Sequence, residues 1–437
     1  MMQDRYGNTH SGANRTAVAH YDDAVEAFAI YRGDPIAAVD AAIEEAPDFA
    51  NAHIARALLF GLATEPAARD AAAEALEVVR GLRMNPREAS LAAATSTLLA
   101  GEWTEAALAL DRHNAAWPMD FLALQAGHLV DFFRANARNL RDRMARALPR
   151  WPTDAPLYPM LLGMHAFGLE EAGDYGRAEE AGRRALALDR RDSWAHHAVA
   201  HVMEMQGRAE DGIGWMIARE ADWAGADNFF QVHNWWHRAL CHLSLEQFDT
   251  ALALYDAQIG AAPSAVAVNL VDAAALLWRL HLLGVDVGAR WEPISAFWES
   301  VADGTLYPFN DWHAAMADLG AGRVDRLEAR LARMRAAAGE VGETGRWIAR
   351  HGIPLIEGFS AFWEGDNAAA AEALHRARFI SDSFGGSHAQ RDVIDWTLGE
   401  AAVRGGMADL AEALAHERLA RKPFNPLDRA LLARARM

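Results

Sequence analysis

The chain has 437 residues, 52% of them hydrophobic, and carries 42 Lys+Arg against 60 Asp+Glu for a formal net charge of -18. That length and apolar content suffice for a large buried core, and the acidic balance excludes phosphate-backbone binding as a main task, since such binding needs a concentrated Lys/Arg surface. No nucleic-acid partner is expected. A single cysteine, Cys241, leaves no internal disulfide. No apolar run reaches the length of a membrane span, and the polar start of the chain lacks the core of a secretory signal. These features predict a cytoplasmic protein without a membrane partner. The one lysine, Lys422, stands among arginines, which reads as codon bias.

Taken in chain order, residues 1–15 show no helical pattern and are expected to be disordered. From residue 16 a single unit recurs: an apolar helix, a short Gly-containing turn and a second helix. The turns fall at Gly33-Asp-Pro35, Gly101-Glu-Trp103, Gly173-Asp-Tyr175 and Gly207-Arg-Ala209, and Glu246-Gln-Phe248 fills the same place without glycine. Gly284 to Asn310 is irregular, contains Pro293 and Pro308, and holds a short predicted helix over Ile294 to Val301. The pattern resumes at Gly322-Arg-Val324, Gly365-Asp-Asn367 and Gly406-Met-Ala408.

Gly173 and Gly207 are 34 residues apart, the period of the tetratricopeptide repeat, in which each turn joins two antiparallel helices. Apolar positions recur at three and four, as in Ala178, Ala181, Ala185 and Leu188, and β-branched alternation is scarce. The predicted fold is all-α, a right-handed superhelical solenoid of about eight TPR-like helix-turn-helix pairs, forming one domain over residues 16–437. No linker divides it.

With these two glycines at position 15 of the repeat, positions 2, 5, 9, 12 and 13 face the concave side. They are Trp194, His197, His201, Glu204 and Met205 in one repeat. The preceding repeat gives Phe167, Glu170 and Glu171, and the following one His233, Trp236 and Leu240. His197, His201 and Glu204 share one helical face at i, i+4 and i+7. An inward face rich in imidazole and indole predicts a pocket.

Three readings of it stay open. In the first, Trp194, Trp236, Trp278 and Trp312 supply flat walls, and His and Glu supply directed hydrogen bonds, for a small molecule or short peptide. In the second the protein is an enzyme, with His197, His201 and Glu204 as catalytic acid-base groups aided by His233 or His237. That reading includes a metal held by His197 and His201, with Glu204, His233 or Glu170 completing the set; no cofactor is named by the pattern. In the third the chain is an interaction scaffold. Its inward His, Glu and Trp replace the Lys and Arg with which such repeats clamp acidic peptide termini.

Other residues weigh on one side. Ser387 and Gln390 form a capping box, which explains the serine without a nucleophile. Arg391, beside that helix start, is a candidate ligand-binding residue because a helix N-terminus and an arginine can hold an anion. His237, Asp311 and His313 sit near the inner edge. Trp235 occupies a packing position, and Cys241, mid-helix, reads as an inert thiol. Phosphate-loop, dinucleotide, HExxH and GxSxG signatures are absent.

Beyond the generic repeat, the motifs Leu169-Glu-Glu171, His197-xxx-His-Val-x-Glu-xx-Gly-Arg208, His233-Asn-Trp-Trp-His237, Leu277-Trp-Arg-Leu280 and Gly385-Gly-Ser-His-Ala-Gln-Arg-Asp392 resemble the family of tetratricopeptide repeat protein 38, shared by bacteria and animals. The likeness covers nearly the whole chain. It implies an all-helical repeat fold and carries no established reaction.

Overall fold

A computed structural model describes residues 2–261 and 266–437. Apart from a two-stranded antiparallel hairpin, Met2–Gln3 against Thr9–His10, the named elements are helices. The helices follow one another as antiparallel pairs, and the chain divides into two compact units. The first comprises residues up to Val199 with 225–230, and the second residues 200–224 with 231–437, so the division falls inside the helix Ser193–Met205.

In the first unit the pairs are Arg15–Ile30 with Pro35–Glu45, Ala50–Gly61 with Pro66–Arg80, Pro86–Leu99 with Trp103–Ala116, Phe121–Phe133 with Ala137–Ala147, and Tyr158–Glu171 with Tyr175–Leu188. Starts are written in the sequence. Asn14, Asp34, Asp120 and Asn136 accept from the backbone of the first turn, and Asn85 with Glu88 forms a capping box. Close helix crossing needs a small residue at Gly168, where a Cβ would lie 2.5 Å from the backbone of Leu140 and Arg141.

The second unit holds Gln231–Ser244 with Phe248–Leu254, Ala267–Leu282 with Trp291–Val301, Pro308–Gly320 with Val324–Ala337, Ile353–Trp363 with Asn367–Ala377, and His388–Arg404 with Ala408–Arg421. The short predicted helix Ile294–Val301 begins three residues earlier, at Trp291, because Pro293 fits a first turn where no N–H partner is required.

Turn geometry is the repeating element. Gly33, Gly101, Gly173, Gly207, Gly322, Gly365 and Gly406 all have positive φ, between 66° and 85°. Apart from Gly33, whose N–H donates to the Asp227 carbonyl, each closes its helix with paired backbone bonds, as at Gly173 to the Glu170 carbonyl (2.8 Å) and Asp174 to the Leu169 carbonyl (2.9 Å). Glu246 fills the same place at φ 56°. A further such turn lies at Ala135, φ 54°, with Asn136 donating to the Asp131 carbonyl.

Residues 2–14 differ from the expectation of disorder. Asp4 accepts from the backbone of Tyr6 and Asn8 and lies 3.2 Å from the Nε2 of buried His10. The Arg87 guanidinium and the Asn85 amide both donate to the Thr9 carbonyl, and the Ser11 N–H donates to Glu88. Long-range bonds of this kind order a polar segment that has no pattern of its own.

Glu246→Gly relieves a side chain held in the left-handed region and should raise stability by about 0.5–1 kcal/mol, whereas Gly207→Ala should lower it by a similar amount. Denaturant midpoints at unchanged m-value read both; a lower midpoint for Glu246→Gly would contradict the assignment.

Candidate functional site

The predicted inward residues fall in both units. In the first, Asp192 caps the helix Ser193–Met205 by accepting from Ala195 at 3.0 Å, and burial drives its pKa well above the carboxylate range. This cap starts the helix on which Trp194 and His197 stand. Trp194 is enclosed by rings, with centroids 4.8 Å from His128, 4.8 Å from Phe167 and 5.2 Å from Phe230. His197 lies 5.2 Å from Phe167 and 5.4 Å from Phe230. Glu170 and Glu171 are both buried at the end of their helix.

In the second unit the structure brings His201, Glu204, His233, Trp236 and His237 together. His233 and His237 are one turn apart on Gln231–Ser244, so both rings project from the same face. The His233 Nδ1 is 2.8 Å from Asp272 Oδ2, and the His237 Nδ1 is 3.3 Å from Glu204 Oε2. Their Nε2 atoms lie 3.2 Å apart. The His201 ring is 4.3 Å from that of His237. Trp236 stacks on His233 at 5.4 Å and 15°, and the Arg279 guanidinium sits 5.3 Å from the indole.

Charge around this centre is compensated by residues the sequence reading passed over. Lys422 donates to Glu204 Oε1 at 2.9 Å. Burial would raise the Glu204 pKa, but the Lys422 ammonium and then His201 outweigh it, so the carboxylate is held below its usual range. Lys422 is likewise held above its usual value despite burial, by Glu204 and Asp392. Burial, followed by the charges of His201, His233, Lys422 and Arg279, keeps His237 well below the usual imidazole range. Arg279, lowered to about 10 by burial, donates to the carbonyls of Ala275 and Ala389.

The inner face of the second unit, where the register predicts a pocket, is closed over. Helices from the C-terminal end of the chain cover it: Ala389 receives Arg279, Thr397 receives the Trp278 indole N–H at 3.0 Å, and Lys422 reaches Glu204. Trp278 thus bridges two helices instead of facing solvent. Nearby, Met205, His388, Asp392, Arg418, Arg421, Lys422 and Asp428 line a cavity of about 10 Å³, room for about one water.

His313 donates from Nδ1 to the Phe309 carbonyl at 2.8 Å, and burial lowers its pKa to about 3. Asp311, raised to about 6 by burial, accepts from the Gly304 N–H and pairs with Arg330; it closes a loop. Ser387 and Gln390 form the expected capping box. Arg391 donates to the Gly386 carbonyl and lies 3.2 Å from His388 Nδ1. Cys241 is buried and its thiol is pushed up to about 12, first by burial. Trp235 packs edge-on against Trp223.

Two signals for the overlooked residues were in the sequence. Asp272 and Arg279 are a lone acid and a lone guanidinium at i and i+7 of an otherwise apolar helix stretch, a spacing that puts both on one face. Lys422 is the one lysine of the chain.

No family model matches the sequence. Among solved structures, the chain is similar to a tetratricopeptide repeat protein from Parabacteroides merdae at 13% identity and TM-score 0.35, covering 64% of this chain and 99% of that one. It is also similar to a chain of the APC/C hetero-tetramer Cut9-Hcn1 at 14% identity and TM-score 0.42, covering 96% of this chain and 76% of that one. Likenesses at this level bear on neither partner nor chemistry.

Two predictions follow from the electrostatics. Lys422→Met strands a buried carboxylate and should lower stability by about 3–5 kcal/mol, and Glu204→Gln in the same chain should recover much of that loss; additive losses in the double variant would contradict the pairing. Because His313 has a folded pKa of about 3 against about 6.5 unfolded, its contribution is complete above about pH 6.5 and falls by about 1.4 kcal/mol per pH unit on acidification. His313→Leu should remove one proton from the pH-dependence of unfolding between about pH 6 and 4, and an unchanged slope would contradict this.

Proposed function

We propose that this chain is a helical-repeat protein of the tetratricopeptide repeat protein 38 type that binds a small ligand at the imidazole-carboxylate centre of its second unit. The observation that carries the reading is that four buried polar atoms of the second unit, Asp272 Oδ1, Trp236 Nε1, Trp312 Nε1 and His313 Nε2, have no hydrogen-bond partner among the described residues. Folded chains rarely leave such atoms without a partner. Here Asp272 orients His233 and Trp236 stacks on it, while the charge of Arg279 reaches Glu204, His237 and His313.

Burial narrows the ligand class. His201, Trp236 and His237 are at most 1% exposed, so a peptide lying on the surface would not touch them, whereas an enclosed ion or small molecule would. The family assignment rests on the motifs that supply this centre. A cytoplasmic setting fits the free thiol of Cys241.

One observation favours the enzyme as a second reading. His233 with Asp272 and His237 with Glu204 are imidazole-carboxylate dyads, an arrangement that fixes the tautomer of a general base. On that reading the acid-base groups are His201, Glu204 and His237, with His197 one turn before His201 on the same helix.

The test is the mass of the freshly purified, untagged protein under native and denaturing conditions. A reproducible excess mass in the native state, lost in His237→Ala while its helical circular dichroism is kept, is the expected result. Equal native and denatured masses in the unsubstituted protein would overturn the proposal.

A further inference from the structure

We propose that His201, His233 and His237 form a three-imidazole site for a divalent transition-metal ion of the zinc class, with Asp272 and Glu204 as positioning residues. The inference rests on the ligand-binding reading above and names the ligand. Its starting point is a conflict of tautomers. A carboxylate only accepts hydrogen bonds. Asp272 therefore takes the proton on His233 Nδ1 at 2.8 Å, and Glu204 the proton on His237 Nδ1 at 3.3 Å. With one proton on each ring, the remaining nitrogen, Nε2, carries a lone pair. These two nitrogens face one another at 3.2 Å.

Two lone pairs at that distance repel unless a cation lies between them. A proton is one candidate. A metal ion is the other. Around a tetrahedral ion with metal-nitrogen bonds of about 2.0–2.1 Å, neighbouring ligand nitrogens stand about 3.3–3.4 Å apart, close to the separation observed. His201 adds the third donor: one ligand atom each of His201, His233 and His237 lie within 4.8 Å of one another.

The surroundings match what metal-binding imidazoles require. A ligating histidine gives its other N–H to a carboxylate or carbonyl, which fixes the ring and raises its basicity, and Asp272 and Glu204 do this for His233 and His237. Glu204 is in turn held by Lys422 on its second oxygen at 2.9 Å, so the carboxylate faces the ring with one oxygen only. The sequence pattern offered His197 and His201 as the metal pair, with Glu204, His233 or Glu170 completing the set; the proposed set takes His201 and His233 from that reading and adds His237.

The experiment uses the full-length untagged protein, stripped with a chelator and titrated with ZnCl2 by calorimetry, with Co2+ as a spectroscopic probe. The expected result is one ion per chain and the intense visible absorption of Co2+ in a tetrahedral site rich in imidazole. X-ray absorption of the zinc-loaded unsubstituted protein should count three imidazoles, a measurement that does not depend on any variant folding. Asp272→Asn should weaken binding by about 10–100-fold with stoichiometry kept, and His233→Ala should abolish the Co2+ spectrum. The inference is overturned if the unsubstituted protein binds neither ion more tightly than a folded His201→Ala/His233→Ala protein, or if fewer than three imidazoles are counted. An organic excess mass in the native-state measurement, with no metal affinity, would uphold ligand binding and sink the metal.

Discussion

The pairing of Lys422 with Glu204 is the constraint on which the second unit depends. Glu204 is buried and Lys422 is partly so, and a charge removed from water must find its opposite or lose its proton. Glu204 ends the helix that carries His201, and Lys422 follows the helix Ala408–Arg421, so their ion pair draws the C-terminal end of the chain onto the histidine centre. Asp392 joins the same balance. Held well below the carboxylate range, chiefly by Arg418 against its burial, it pairs with Arg418, which also pairs with Asp428. Ordering of the rings is a consequence: with Glu204 kept ionised, the proton of His237 is directed to Nδ1 and its other nitrogen is aimed at His233.

That arrangement is possible because the repeat supplies rigid, regularly spaced helices. Each left-handed turn reverses the chain in the same few residues, and one helical face repeats at i, i+4 and i+7. His201, His233 and Asp272 stand on three separate helices, Ser193–Met205, Gln231–Ser244 and Ala267–Leu282. Sites built on helices hold their groups more closely than sites on loops. Buried aromatic rings complete the frame, with Trp236 against both His233 and the Arg279 guanidinium.

Much of this was legible in the sequence, and the rest was not for identifiable reasons. Glycine marks a left-handed turn because it lacks a Cβ, so Gly33, Gly101, Gly173 and Gly207 announced the pairs; Ala135 adopts the same φ with no such mark. Register placed His201, Glu204, His233 and Trp236 on inward faces. Which of them meet depends on partners remote in sequence, and Lys422 is 218 residues from Glu204. A lone lysine among arginines looks like composition until its ammonium is seen against a buried carboxylate. Likewise the first residues look structureless because their order comes from Arg87, Asn85 and Glu88, each more than seventy residues away.

The central claim is that two carboxylates set the tautomers of His233 and His237 so that two lone pairs converge. Long-range proton-nitrogen NMR of the imidazole side chains, recorded on chelator-treated protein and again after addition of zinc, tests it directly. The account predicts both rings protonated at Nδ1 and bare at Nε2 without the ion, with both Nε2 resonances shifting when zinc is added. A proton resident on the Nε2 of either ring and unmoved by zinc would contradict it.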